Sequence, residues 1–129
     1  MLENNSVSRE QSVTRDNNSK SRVLIVDDHP FMREGLKLHL NRQPDLTVCA
    51  EASDLTSALE AIQQSNPDLV LLELKLRHGD VLEFIKAAKA RFQALRILIL
   101  SEYEEALYAE RALRAGAHGY VMKRETADE

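Results

Sequence analysis

The chain has 129 residues, 17 of them Lys or Arg and 21 Asp or Glu, for a formal net charge of -4. That length supports one sizeable hydrophobic core rather than two, and the acidic balance has the wrong sign for a surface that grips phosphate backbones by counterion release. The lone Cys49 excludes an intramolecular disulfide, and the short apolar runs exclude a transmembrane helix or a signal-peptide core, so a cytoplasmic location with no membrane partner is expected.

In residues 1–21 only Met1, Leu2, Val7 and Val13 are apolar, among Asn, Ser, Gln and balanced charges. So little hydrophobic surface does not offset the entropy of ordering the segment, and a disordered tail is expected there. From Arg22 onward short aliphatic runs alternate with segments of helical period, the pattern of strands joined by crossover helices. Val23-Leu24-Ile25-Val26 opens the series. Its apolar character on both faces predicts a parallel strand covered on each side. Phe31 to Asn41 reads as a helix entered through Asp28-His29-Pro30, with capping side chains and a proline suited to a first turn. Thr47 to Ala50 is a weaker strand after the Pro44-Asp45 turn, with Cys49 expected to be buried as a small apolar residue. Leu55, Ala58, Leu59 and Ile62 recur at helical spacing, and so, nearly, do Leu82, Ile85, Ala88 and Phe92. Leu69 to Leu72 and Ile97 to Leu100 repeat the buried-strand pattern. Tyr103 to Ala115 is a helix ending at Gly116, a left-handed C-terminal position, and Gly119 to Met122 is the last strand. The expected fold is α/β, a flavodoxin-like doubly wound sheet of five parallel strands in the order 2-1-3-4-5.

Ligands of such sheets bind outside the carboxyl ends of the strands. Strand one ends in Asp27-Asp28, strand three in Glu73, strand four in Ser101 and strand five in Lys123. Three carboxylates, a hydroxyl and an ammonium are the inventory for a divalent cation and a phosphoryl group. Magnesium takes oxygen ligands and needs only one or two protein carboxylates, while an ammonium neutralises phosphoryl oxygens. Taken singly, Asp28 and Ser101 read as helix caps, Lys123 as a solvated charge and Tyr120 as a core aromatic. Adjacent Asp27 and Asp28, however, repel unless a cation or Lys123 compensates them. The four histidines stand at no ligand-like spacing and are assigned no metal, and Glu102, Glu104, Glu105 and Glu110 read as a solvated helix face.

Val23 to Pro30, Pro67 to Leu72, Ile99 to Ser101 and Ala112 to Lys123 together resemble the receiver domain of two-component response regulators over residues 22 to about 127. Asp27-Asp28-His29-Pro30 followed by Arg33-Glu34-Gly35-Leu36 is similar to the NarL/FixJ (LuxR-type) class. The resemblance implies magnesium at Asp27, Asp28, position 73 and the Lys75 backbone carbonyl, a switch hydroxyl at Ser101, a rotating aromatic at Tyr120 and a phosphate contact at Lys123. It also implies a sensor histidine kinase as partner, and a DNA-binding domain following the receiver in a longer chain.

Two departures stand out. The family's phospho-accepting aspartate is replaced by Glu73, and the loop after it has Arg77 and Val81 where the family commonly has Pro and Gly, with Gly79 available to shift the turn. Phosphorylation is therefore expected to be impaired, or mimicked by the carboxylate of Glu73, with magnesium binding weakened or lost. Arg124 to Glu129 are too few for a fifth helix, so one sheet face is expected to need cover from a longer chain or from a homodimer or other protein partner. A stand-alone degenerate receiver acting as a dimerisation scaffold is the alternative. A haloacid-dehalogenase-like phosphotransferase wants an Asp-x-Asp motif after strand one that the chain lacks, and nucleotide-binding folds want a Gly-rich loop it also lacks. No enzymatic activity is expected.

Overall fold

Val23, Leu24, Ile25 and Val26 are all inaccessible to solvent, which requires helices on both faces of the strand they form. The computed structural model, which describes residues 20–76, 78–101 and 106–122, meets that requirement. Its elements run β1 (Ser21–Val26), α1 (Pro30–Asn41), β2 (Leu46–Ala52), α2 (Leu55–Ser65), β3 (Leu69–Glu73), α3 (Val81–Arg91), β4 (Arg96–Ser101), α4 (Ala106–Ala115) and β5 (Gly119–Met122). The strands form one sheet in the order β2-β1-β3-β4-β5, every pair parallel. This is the flavodoxin-like arrangement expected from the alternating pattern.

Alternate residues of the central strands feed two cores, as the two-residue strand period dictates. Leu24, Val26, Val70, Leu72, Ile97 and Ile99 pack in one cluster with Ala58 and Ile62 of α2, Phe84, Ile85 and Ala88 of α3 and Ala112 of α4. Val23, Ile25, Leu71 and Leu100 pack on the other face with Leu36 of α1, flanked by Met32 and Leu40. Among the described residues α1 is the only helix contributing to this second cluster, and Leu69, Leu98 and Val121 on that face are only half-buried. Residues 1–19 of the expected tail, and residues 123–129 on which the missing fifth helix was inferred, lie outside the described residues.

Local expectations change at Ser21, in β2 and at the start of α1. Ser21, assigned to the tail, begins β1, pairs with Leu46 and donates its N–H to the Asp45 carbonyl at 2.9 Å. Strand β2 is longer than its apolar run because a parallel partner holds both its ends. Its register slips between Val48 and Ala50, which oppose Val23 and Leu24, so Cys49 is the extra residue of a bulge and is half-buried rather than buried. Helix α1 has His29 as its N-cap residue with no side-chain cap bond; the acidic side chain of Asp28 does not serve there. Of the helix expected from Tyr103, residues 106–115 are seen, and residues 102–105 lie outside the described set.

The other helix ends follow the sequence. Asp54 and Asp80 cap α2 and α3 by accepting from the N–H groups of Ser57 and Glu83. Asn66, at φ 51°, turns the chain out of α2 before Pro67. Gly116 takes φ 126°, and the Ala117 N–H reaches the Ala112 carbonyl at 3.0 Å, the six-to-one bond of a glycine-terminated helix.

Candidate functional site

The parallel register brings the carboxyl ends of β1, β3 and β4 level with one another. Val26 opposes Leu72, and Glu73 opposes Leu100, so Asp27, Glu73 and Ser101 leave their strands at neighbouring heights. All three are buried polar residues, with relative exposures of 1%, 5% and 1%. Their backbones are fixed by the sheet: the Asp27 N–H donates to the Ala52 carbonyl at 3.1 Å, and the Leu74 N–H to the Leu100 carbonyl at 2.9 Å.

The Asp27 carboxylate accepts the His29 backbone N–H at Oδ1, 2.9 Å away, a short-range turn that doubles the chain back between β1 and α1. The same Oδ1 lies 3.0 Å from His29 Nδ1, and Asp28 Oδ1 lies 3.1 Å from that nitrogen. Among the described residues, Asp27, Asp28 and His29 are the acidic and imidazole groups whose potential ligand atoms all fall within 4.8 Å of one another. His29, assigned no metal from its spacing, thus joins the aspartates because its side chain is not occupied at the helix cap. Glu73 stands on the adjacent strand with Oε2 accepting the Lys75 N–H at 2.9 Å. Tyr120, opposite Ile99 in β5, is half-buried against the larger core cluster. Lys123, the expected phosphate contact, lies outside the described residues, as does Arg77 in the loop after Glu73. Gly79 does make the turn in that loop, at φ 97°.

Sequence reasoning missed Arg33. Its Nη1 donates to the Asp27 carbonyl at 2.7 Å and its Nε lies 3.4 Å from Glu51 Oε1, while Lys37 Nζ is 3.2 Å from Glu51 Oε2. One turn into α1, this cation bolts the helix to the strand end that carries the aspartates. Its place in the Arg-Glu-Gly-Leu run was visible in the sequence, but its target, a backbone carbonyl, left no sequence signal.

A cavity of about 620 Å³ opens at the opposite pole, lined by Ser21, Asp68, Leu69, Arg96, Leu98 and His118 among others. There the His118 Nδ1 accepts the Ile97 N–H at 3.2 Å. Partial desolvation, and then the charges of Lys89 and Arg96, hold its pKa below the ordinary histidine value. The buried carboxylates and the hydroxyl are at the other end of the sheet. They offer hard oxygen donors of the kind a small divalent cation takes.

Residues 23–129 match the family model described as the response regulator receiver domain. The chain belongs to that family. A transcriptional regulatory protein, DegU of Brevibacillus brevis, is 31% identical to the receiver over 112 residues, 87% of this chain and 48% of that protein. The nitrate/nitrite response regulator protein NarL of Escherichia coli K12 is 34% identical over 83% of this chain and 50% of its own length. The receiver thus spans about half the length of the curated relatives it matches. Among solved structures, a LuxR-family two-component response regulator from Aurantimonas superposes with a TM-score of 0.79 at 35% identity, covering 85% of this chain and 79% of that one. The signal receiver domain of the response regulator NarL of Mycobacterium tuberculosis gives 0.76 at 33% identity, covering 81% and 85%. Receiver domains bind Mg2+ through acidic residues and interact with sensor kinases. In this receiver the clustered acidic pair is Asp27 and Asp28. No helix among the described residues is long and apolar enough to cross a membrane.

Proposed function

We propose that this receiver is atypical: Glu73 stands where the family carries its phospho-accepting aspartate, and the domain regulates transcription through a DNA-binding domain elsewhere in a longer chain with phosphoryl transfer impaired. The observation that carries the reading is the position of Glu73. It ends the central strand β3, is 5% exposed, and emerges level with Asp27 and Ser101. Asp27 and Asp28 would hold Mg2+, with Glu73 and the Lys75 carbonyl completing the protein's share of the coordination. The ion would supply charge neutralisation for phosphoryl oxygens. Ser101 and Tyr120 would read the state of position 73, and Lys123 would face the phosphoryl oxygens.

The extra methylene of glutamate advances the carboxylate by about 1.5 Å, one carbon–carbon bond. A displacement of about 1 Å can cost roughly a hundredfold in rate when the nucleophile must meet its target in line. The hydrogen bond from the Lys75 N–H to Oε2 also holds the carboxylate toward its own loop, which favours a domain fixed in one conformation over a full imitation of phosphoaspartate. The charge argues the same way, since a carboxylate carries about one negative charge against roughly 1.5 to 2 for a phosphoryl group. Domain locking is also compatible with a partner-binding scaffold, in which a kinase has no part.

The test is intact mass after incubation with Mg2+ and acetyl phosphate, run on the full chain and on Glu73→Asp. Gain of one phosphoryl group by the variant alone is the expected result. Equal modification of the unaltered chain would show that Glu73 does not impair transfer, and modification of neither would show that the surrounding site is not built for it.

A further inference from the structure

We infer that His29 is a ligand of the cation held at Asp27 and Asp28, and that it turns this site from one selecting Mg2+ into one preferring divalent first-row transition ions. The inference rests on the cation-site reading above and concerns what this chain's own imidazole adds to it.

Two features direct the ring into the site. His29 is the N-cap residue of α1, yet its side chain makes no cap hydrogen bond. The backbone turn closed by the His29 N–H on Asp27 Oδ1, at 2.9 Å, brings the side chains of 27 and 29 to the same side. The ring nitrogen Nδ1 then lies 3.0 Å from one carboxylate oxygen and 3.1 Å from the other. Adjacent ligands of an octahedral ion with bonds of about 2.1 Å stand about 3.0 Å apart, so the two Nδ1–Oδ1 separations, one of them a hydrogen bond to Asp27, match edges of such a shell. Asp27 is 1% exposed, and the Arg33 guanidinium fixes its carbonyl at 2.7 Å. One corner of the shell is thereby rigid. The His29 side chain, 54% exposed, retains access to an entering ion.

An imidazole nitrogen discriminates between ions as carboxylates do not. Mg2+ takes oxygen almost exclusively and gives up water reluctantly, whereas Co2+, Ni2+ and Zn2+ gain strongly from nitrogen donors, with affinity rising from Mn2+ through Co2+ and Ni2+ to a maximum at Cu2+. A site that adds one imidazole to its carboxylates therefore ranks these ions above Mg2+.

The experiment is calorimetric titration of the tag-free full chain with Mg2+ and with Co2+, on the unaltered protein, His29→Ala, His29→Gln and, as a control for other histidines, His78→Ala. Pulsed electron paramagnetic resonance of the Mn2+ complex accompanies it, because a directly bound imidazole imprints nitrogen modulation on that signal. The Co2+ over Mg2+ affinity ratio should fall by about tenfold or more in both His29 variants, the scale of losing a group that shapes a metal site, and hold in His78→Ala. Nitrogen modulation should vanish with His29. A ratio unchanged by the His29 variants, or a Mn2+ complex without nitrogen modulation, overturns the inference while leaving a Mg2+ site standing. Binding of neither ion overturns both this inference and the cation-site reading. Circular dichroism of the variants separates loss of a ligand from loss of the fold.

Discussion

Leu72→Ala tests whether the central strand is what holds the acidic end in place. Leu72 is inaccessible to solvent, flanked by Val26 of β1 and Ile99 of β4, and is followed directly by Glu73. Truncation removes three carbon groups, about 2.4 kcal/mol of transfer energy at roughly 0.8 kcal/mol each. A residual cavity of the order of 50 Å³ adds about 1.2 kcal/mol at roughly 24 cal/mol per Å³. The expected cost is therefore about 3.5 kcal/mol, a large share of the ~5–15 kcal/mol stability of an ordinary domain. In urea, with a slope of about 1.5 kcal/mol per molar, the midpoint should fall by about 2 M. Leu98→Ala is the comparison, since Leu98 lies in the neighbouring strand but is only half-buried on the less covered face. It should cost less than half as much. Equal costs for the two, or a loss for Leu72→Ala below about 1 kcal/mol, would refute the assignment of β3 as the doubly covered centre of the sheet.

Smaller perturbations probe the turns and the far pole. Asp80→Ala removes the side chain that accepts the Glu83 N–H at 3.1 Å, and thermal unfolding should report a loss of about 1 kcal/mol. Gly79→Ala places a Cβ 2.7 Å from Leu55 Cδ1 at a φ of 97°, so it should destabilise by at least about 1 kcal/mol, the cost of a left-handed alanine; an unchanged melting temperature would remove Gly79 as the turn of that loop. The pKa of His118 is lowered in the fold, so the unfolded chain binds its proton first and the residue disfavours the fold as pH drops below about 6.5. His118→Gln should flatten the decline of stability between about pH 7 and 5 in denaturant titrations, and a parallel decline in both proteins would assign it to other groups.

Much of this molecule was settled along the chain, because burial on both faces of a strand leaves a direct imprint. Val23 to Val26, Leu69 to Leu72 and Ile97 to Leu100 are apolar without alternation, and each became a central parallel strand. Asp27, Glu73 and Ser101 were legible as strand-end residues for the same reason: the point where an apolar run stops is the point where the strand leaves the core. Weaker signals failed at the edge, where β2 gained residues from its pairing with β1 and accommodated Cys49 in a bulge that no residue type announces. The placement of His29 against the aspartates and the hold of Arg33 on the Asp27 carbonyl needed the tertiary structure. Both depend on the direction in which a turn points its side chains and on a backbone acceptor that every residue possesses, and neither quantity is carried by the identity of the amino acids alone.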